Sequence, residues 1–456
     1  MADVQVPWGQ AELPIHLPAN WRLQQVAQPE FPAAPSDWED RLAMALSKPV
    51  AGPSLRERLE AVRGGNVVLI VEDLTRHSPL GRILDVILRE VRHAGVPDER
   101  LEIVIASGMH PPPAREEIRA KLGPAAEGIA CRFNPWHDEK AYVNLGRAGG
   151  VEVRVDRGVA EADLRILVSS VSPHLQAGFG GGYKMLFPGC GLQRNIRLLH
   201  RVGICRRGQG QLVGTSAEDN PMRRVIDQAG ALVDARHGVT FSVQYVLDGE
   251  NLPAHAAAGE TIPAHRMVAK QCALSCGVMP EGAADVVIAN AYPRDHDLWQ
   301  AFKCIPNTCW AARPNGVVIC LARCELGLNE MKRMWWPFSP GATRRLVRLL
   351  GPHTISSLID RIVKQLAGDS QWFIRLASQL LERNWIYLVS PKLKSDGVTF
   401  PGVAIFGTVE EAVARAQKVL GEGPQRVAVY PAGGISYPSP STAESNRARR
   451  EGAEAP

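Results

Sequence analysis

"NVVLIVEDLTRHSPLGRILDVILREVRHAG", residues 66–95, decides the fold. "NVVLIVED" is a near-continuous apolar run rich in β-branched side chains, the pattern of a strand buried on both faces. It ends in polar residues. "SPLGRILDVILREVRHAG" then carries apolar residues at helical spacing, with Ser78 as the expected N-cap, Pro79 at the first helical position and a glycine past the end. "LEIVIAS" at 101–107 and the helix-like "AREEIRAKLG" repeat the alternation, and "LRILVSS" at 164–170 adds a third strand. Strands alternating with helices predict an α/β fold with parallel sheets. Functional loops of such folds lie at the carboxyl ends of strands. That rule brings "DLTR", "GMH" and "SPHLQAGFGGGYK" to one crevice.

Alternation resumes beyond residue 262 with "ADVVIANA", a helical "DLWQAFKCIPNTCWAA", "GVVICLARC", a long helical stretch over 340–383, "NWIYLVS", "TVEEAVARAQKVLG" and "RVAVYPAGG". A chain of 456 residues is long for one core. The reading is therefore two α/β domains, 1–262 and 263–436, with "DGENLPAHAAAGETIPAHR" at 248–266 as the linker. Residues 437–456 carry almost nothing to bury and are expected to be disordered.

The net charge of +5 comes from 52 basic and 47 acidic residues without a basic stripe, which favours small anionic ligands over nucleic acid. The cysteine spacings fit no zinc ribbon, and reduced thiols in a packed core are expected. The opening residues show no basic segment followed by an apolar one, and no apolar run of about 18 residues occurs, so neither a signal peptide nor a membrane span is expected. A soluble cytoplasmic protein without a membrane partner is expected. The sequence sets no oligomeric state.

"AGFGGGYKMLFPGCG" at 177–191 has the bare backbone of a phosphate loop. The specific motifs fail: Gly182, Tyr183, Lys184 and Met185 lack the Gly-Lys-Ser/Thr order, and the third glycine of a dinucleotide fingerprint would fall on Tyr183. Anion binding and a plain tight turn both remain open. His174 and His200 flank the loop and His110 follows a neighbouring strand, and imidazole serves both as metal ligand and as general base. His296, Gln300 and Lys303 are spaced to share one helical face, either solvated or, with Arg76, a clamp for a carboxylate.

Together these pieces resemble the lactate racemase family, enzymes that use a nickel-pincer nucleotide. "VPWGQAELPIHLP" is similar to its opening strand segment, "DLTR" to its D-x-T-R and "GMHPPP" to its Gly-x-His loop. "SPHLQAGFGGGYKMLFPG" is similar to its Pro-His, Gly-Phe, Gly-Gly-x-Lys and Pro-Gly pattern, "EDNPMRR" to its Asn-Pro segment and "YPRDHDLWQAFK" to its Gln-x-x-Lys segment.

The resemblance implies two α/β domains with an active-site cleft between them. It implies that Lys184 covalently carries pyridinium-3,5-bisthiocarboxylic acid mononucleotide nickel, with Asp73, Thr75, Gly181 and Gly182 beside the cofactor. His200 would be the nickel ligand from the protein, and His110 and His174 the acid/base pair. Arg76, Gln300 and Lys303 would hold the substrate, with Trp299 and Trp372 bordering it. The implied partners are a small anionic 2-hydroxy acid and the cofactor-synthesis proteins.

The chemistry suits these residue types. The Cα hydrogen of a 2-hydroxy acid is poorly acidic beside an anionic carboxylate, and its removal as hydride, through a 2-keto acid, avoids the carbanion. Sulfur and carbon donors with one imidazole suit square-planar nickel, and the cofactor supplies the hydride acceptor that side chains lack. Pro111, Gly180, Tyr183 and Trp299 depart from the family pattern, which bears on the substrate more than on the scaffold. The reading from another class is a phosphate- or nucleotide-ligand binder that keeps the loop without the nickel cofactor.

Overall fold

A computed structural model describes residues 3–73, 76–204, 210–329, 331, 336–362 and 370–439, without the side chains of 356, 359–362 and 370–373. The chain divides into two compact units. One comprises Met1–Glu30, Ile204–Thr215 and Cys276–Pro456, the other Phe31–Gly203 and Ser216–Ser275. The opening residues thus belong with the C-terminal half. The expected linker is ordered: Pro253–Gly259 pairs antiparallel with Val239–Leu247, and the helix Thr261–Cys276 follows. Its alanines are small enough to pack as an edge strand, which composition alone disguised.

The unit built on Phe31–Gly203 and Ser216–Ser275 has a six-stranded sheet in the order Pro253–Gly259, Val239–Leu247, Leu164–Ser170, Val67–Val71, Leu101–Ile105, Ala130–Phe133. All neighbours except the first pair run parallel. All five residues of Val67–Val71 are buried, as the unbroken apolar run requires. Their twofold alternation splits the core. Val67, Leu69 and Val71 meet the helices Trp38–Ser47, Leu55–Ala61 and Leu80–His93, whereas Val68 and Ile70 meet the helix Pro221–Arg236 and residues Tyr183–Phe187. Each such side chain contributes about 1.5–3 kcal/mol on burial. Val71 lies level with Ile105 and Val168, so three loops leave the sheet side by side. The chain extends the sheet one way through Leu101–Ile105 and later the other way through Leu164–Ser170, which makes this edge a topological switch point.

The other unit holds a six-stranded parallel sheet in the order Val403–Phe406, Trp385–Val389, Ala312–Leu321, Ala284–Asn290, Gln425–Tyr430, Trp21–Val26. The hairpin Asp3–Trp8 and Ala11–His16 packs on it through Val4, Val6 and Ile15. The expected helix at 340–383 is three helices, Pro340–Leu350, Pro352–Ile362 and Ser370–Arg383. Gly351 at φ +81° ends the first and Pro352 begins the next. Tyr437 of the expected disordered tail is buried, and Tyr437–Pro438 pairs with Gly277–Val278. Residues 440–456 lie outside the described residues.

Candidate active site

Immediately beyond Val71, the buried Glu72 accepts from the Ser78 hydroxyl, from the Ser170 backbone N–H at 2.7 Å and hydroxyl at 2.6 Å, and from the Tyr245 hydroxyl at 3.0 Å. One carboxylate thereby ties three adjacent strand ends together. It also takes Ser78 out of its expected capping role, and the helix Leu80–His93 starts after Pro79 with no side-chain cap. Lys121 Nζ donates to the carbonyls of Arg76 at 2.6 Å and Ser78 at 2.7 Å, bracing the same loop.

Asp73, next along, accepts from His110 Nδ1 at 3.0 Å. A carboxylate on one ring nitrogen fixes Nδ1 as the donor and leaves Nε2 as the reactive position. His110 is held in turn by its own N–H to the Ser107 carbonyl at 3.0 Å, and Asn134 Nδ2 holds Gly108 O at 2.8 Å.

His174 is arranged in the opposite sense. Its Nδ1 accepts the backbone N–H groups of Gln176 at 3.2 Å and Ala177 at 3.0 Å. An Nδ1 that accepts two donors carries no proton, so the ring is the Nε2–H tautomer. The side chain of Gln176 donates to the carbonyl of His200 at 3.0 Å. Gln176 therefore ties the segments of both loop-flanking histidines. His200 lies in the last turn of the helix Gln193–Val202 and is partly exposed.

Between them, Pro173–His174 and Gly178–Phe179 form a two-residue hairpin, and a short turn of helix spans Gly182–Met185. Gly181 and Gly182 have φ of +74° and +63°. A Cβ on Gly181 would lie 2.5 Å from Gln244 Oε1, and one on Gly182 would lie 3.0 Å from the His265 ring. The positive φ favours glycine at both positions, and the space around each is tight. Gln244 Oε1 instead accepts the Gly182 N–H at 2.7 Å. Lys184 keeps some exposed surface, yet its amine is densely surrounded; burial, with Arg76 and Arg223 nearby, pushes it down to about 7, against a smaller pull from Asp73. A large fraction is thus a neutral, nucleophilic amine near pH 7.

A family model described as the lactate racemase N-terminal domain matches residues 8–211, and one described as the lactate racemase C-terminal domain matches residues 279–436. The chain belongs to the lactate racemase family. Membership makes it an isomerase of the racemase type. It is 27% identical over 337 residues to the lactate racemase of Thermoanaerobacterium thermosaccharolyticum, covering 72% of this chain and 76% of that one. It is 24% identical over 403 residues to the lactate racemase of Lactiplantibacillus plantarum, covering 87% and 89%. Its fold matches the structure of the lactate racemase apoprotein from T. thermosaccharolyticum with a TM-score of 0.78 at 22% identity, over 95% of this chain and 99% of that one. A Thermotoga maritima protein matches with a TM-score of 0.61 at 18% identity, over 88% and 97%.

Of the residues expected from the family pattern, Asp73, Arg76, His110, His174, Gly181, Gly182, Lys184 and His200 all lie in the unit that carries the switch point. Thr75 lies outside the described residues. Trp299, Gln300 and Lys303 lie in the other unit, where Lys303 Nζ donates to Gln300 Oε1 at 2.5 Å. Their helix is shorter than expected. Leu298–Ala301 and Cys304–Thr308 are separate turns, because Pro306 has no N–H to continue the ladder. His296 precedes both and lies against Arg323, 3.4 Å from Nη2, so it does not share their helical face. Trp372 falls in Ser370–Arg383, with its side chain outside the described residues. Glu72, Gln176, Gln244 and His265 had no sequence signal, because their partners are distant in the chain. Arg223 sits within the quoted "EDNPMRR", which was the available clue.

Among the described residues, no three His, Cys, Asp or Glu side chains gather into a metal site. No described helix is long and apolar enough to cross a membrane.

Proposed function

We propose that the protein inverts the C2 centre of a small 2-hydroxy acid, using a nickel-pincer nucleotide tethered to Lys184. The observation that carries the reading is that Asp73, hydrogen-bonded to His110, and Arg76 both act on the amine of Lys184, which is lowered to about 7. The residues fit the group. A lysine amine neutral in large part near pH 7 can form an amide-type link, and His200 offers one imidazole. With no cluster of three protein ligands among the described residues, nickel at this site would take most of its donors from the bound group, and the pincer offers three.

When bound, the nucleotide supplies a hydride acceptor. The chain's own residues do the rest. Arg76 orients the substrate carboxylate as a planar fork, and Gln300 and Lys303 are proposed as its further partners. His110 takes the hydroxyl proton at Nε2 while Asp73 steadies the resulting imidazolium. His174 presents Nε2–H to the substrate oxygen, and its ring must release the two N–H groups on Nδ1 before it can take a proton itself.

The named relatives are lactate racemases, and lactate is the first substrate to test, followed by longer and polyhydroxylated 2-hydroxy acids because Pro111 and Trp299 depart from the family pattern. The protein should be co-expressed with the cofactor-synthesis proteins and examined by intact mass and metal quantification. A Lys184-dependent adduct with about one nickel per chain, and deuterium exchange at C2, is the expected result. Unmodified, metal-free protein would sink the reading and leave a phosphate-ligand binder.

A further inference from the structure

Beneath the glycine loop, two residues absent from the catalytic reading hold three successive carbonyls, and two more hold those two. The buried Arg223 donates through Nη2 to Phe179 O and through Nη1 to Gly181 O at 3.1 Å. The buried His265 donates through Nε2 to the carbonyl between them, Gly180 O, at 2.8 Å. Arg266 Nη1 lies 2.9 Å from His265 Nδ1. Arginine can only donate, so His265 must be the neutral Nε2–H tautomer, the one form able to donate to Gly180. Arg266 Nη2 pairs with Asp227 Oδ2, and Asp227 Oδ1 lies 3.9 Å from Arg223 Nη1, so one carboxylate anchors both guanidinium groups.

We propose that Arg223, His265, Arg266 and Asp227 are positioning residues for Lys184, a clamp that turns the carbonyls of Phe179, Gly180 and Gly181 into the protein and so sets the loop conformation from which the amine meets its electrophile. The inference rests on the reading of Lys184 as the attachment point. Two observations support it. A Cβ on Gly182 would lie only 3.0 Å from the His265 ring, so the loop and the clamp are closely fitted to one another. The clamp also has an electrostatic consequence: two guanidinium groups, one carboxylate and a neutral imidazole leave one excess positive charge below the loop. Arg223 accordingly acts with burial and Arg76, and against Asp73, in favouring the neutral amine. The same burial and both arginines hold His265 far below the ordinary histidine range, so it stays in its donating form.

The test is competitive acetylation of Lys184 in cofactor-free protein across pH, read by peptide mass spectrometry, together with the rate of cofactor incorporation. Wild type should label with a midpoint of about 7. Arg223→Gln should raise the midpoint by about one unit or more, towards an ordinary lysine, and slow incorporation about tenfold or more at neutral pH. Arg223→Lys, which keeps the charge, should restore most of the midpoint. His265→Gln, which keeps an N–H donor, should incorporate cofactor well, and His265→Leu about tenfold more slowly. This second pair decides the matter should Arg223→Gln fail to fold. Wild-type midpoint and incorporation in a folded Arg223→Gln, or equal incorporation by the two His265 variants, overturns the clamp. If Arg223→Gln moves the midpoint but no variant, wild type included, ever carries an adduct, the clamp on the amine stands and the cofactor reading fails.

Discussion

A carboxylate against one nitrogen of an imidazole and two backbone N–H groups against the same nitrogen of another give two histidines different starting chemistry. His110 keeps Nδ1–H for Asp73, and His174 keeps Nε2–H. Nitrogen-15 NMR of the rings should therefore show Nδ1 protonated in His110 and unprotonated in His174; matching ring spectra would contradict the assigned contacts. Asp73→Asn keeps an acceptor but removes the charge that steadies an imidazolium. Turnover per bound nickel should fall on the order of 10²–10⁴-fold. Lys184 offers a linkage test. Its folded value is depressed to about 7 from an ordinary 10.5, so the unfolded chain binds more protons between those limits. The stability of cofactor-free protein should rise with pH across that window, and Lys184→Met should flatten the rise in denaturant titrations. Sequence reading singled out these side chains because each is a reactive type in a segment that follows a strand. It missed Glu72, Gln176 and the clamp because a buried polar residue is recognisable only from partners that tertiary folding supplies.

The elements were legible where pattern and partner agree. Five buried residues in Val67–Val71 and six of seven in Leu164–Ser170 match their apolar runs closely. Legibility failed where a local cue was outbid: Ser78 by the carboxylate of Glu72, the helix after Asp297 by Pro306, and the alanine-rich strand Pro253–Gly259 by a composition that suits a linker. The helix Pro221–Arg236 explains Tyr183, the unusual residue beside the lysine. The Tyr183 ring lies over Gly230, where a Cβ would fall 2.1 Å from Cγ, and its hydroxyl donates to Asp234, itself paired with the buried Arg165. Gly230→Ala should cost about 1–3 kcal/mol by overpacking in thermal or chemical denaturation. The cost should shrink when Tyr183 is first replaced by Leu; an undiminished cost would mean that the tyrosine ring is not the obstacle.

For the molecule as a whole, two sheets of parallel strands were readable from alternation, whereas the distribution of the chain between them was not, because strand pairing across hundreds of residues leaves no local trace. Trp21–Val26 pairs in parallel with Gln425–Tyr430, with Trp21 opposite Gln425. A fragment of residues 276–456 therefore lacks both an edge strand and the hairpin that covers Val286 and Ile288, and should fail to unfold cooperatively. A fragment of residues 31–275 retains its whole sheet and should give a cooperative denaturation curve. The same pairing has a meaning in time. Emerging at about 5–20 residues per second, Trp21–Val26 leaves the ribosome roughly 20–80 s before its partner strand exists. During that interval the sheet of the other unit can already be complete, while Trp21–Val26 waits without its partner strand for the last quarter of the chain. One of the earliest-made strands is thus among the last to reach its final place.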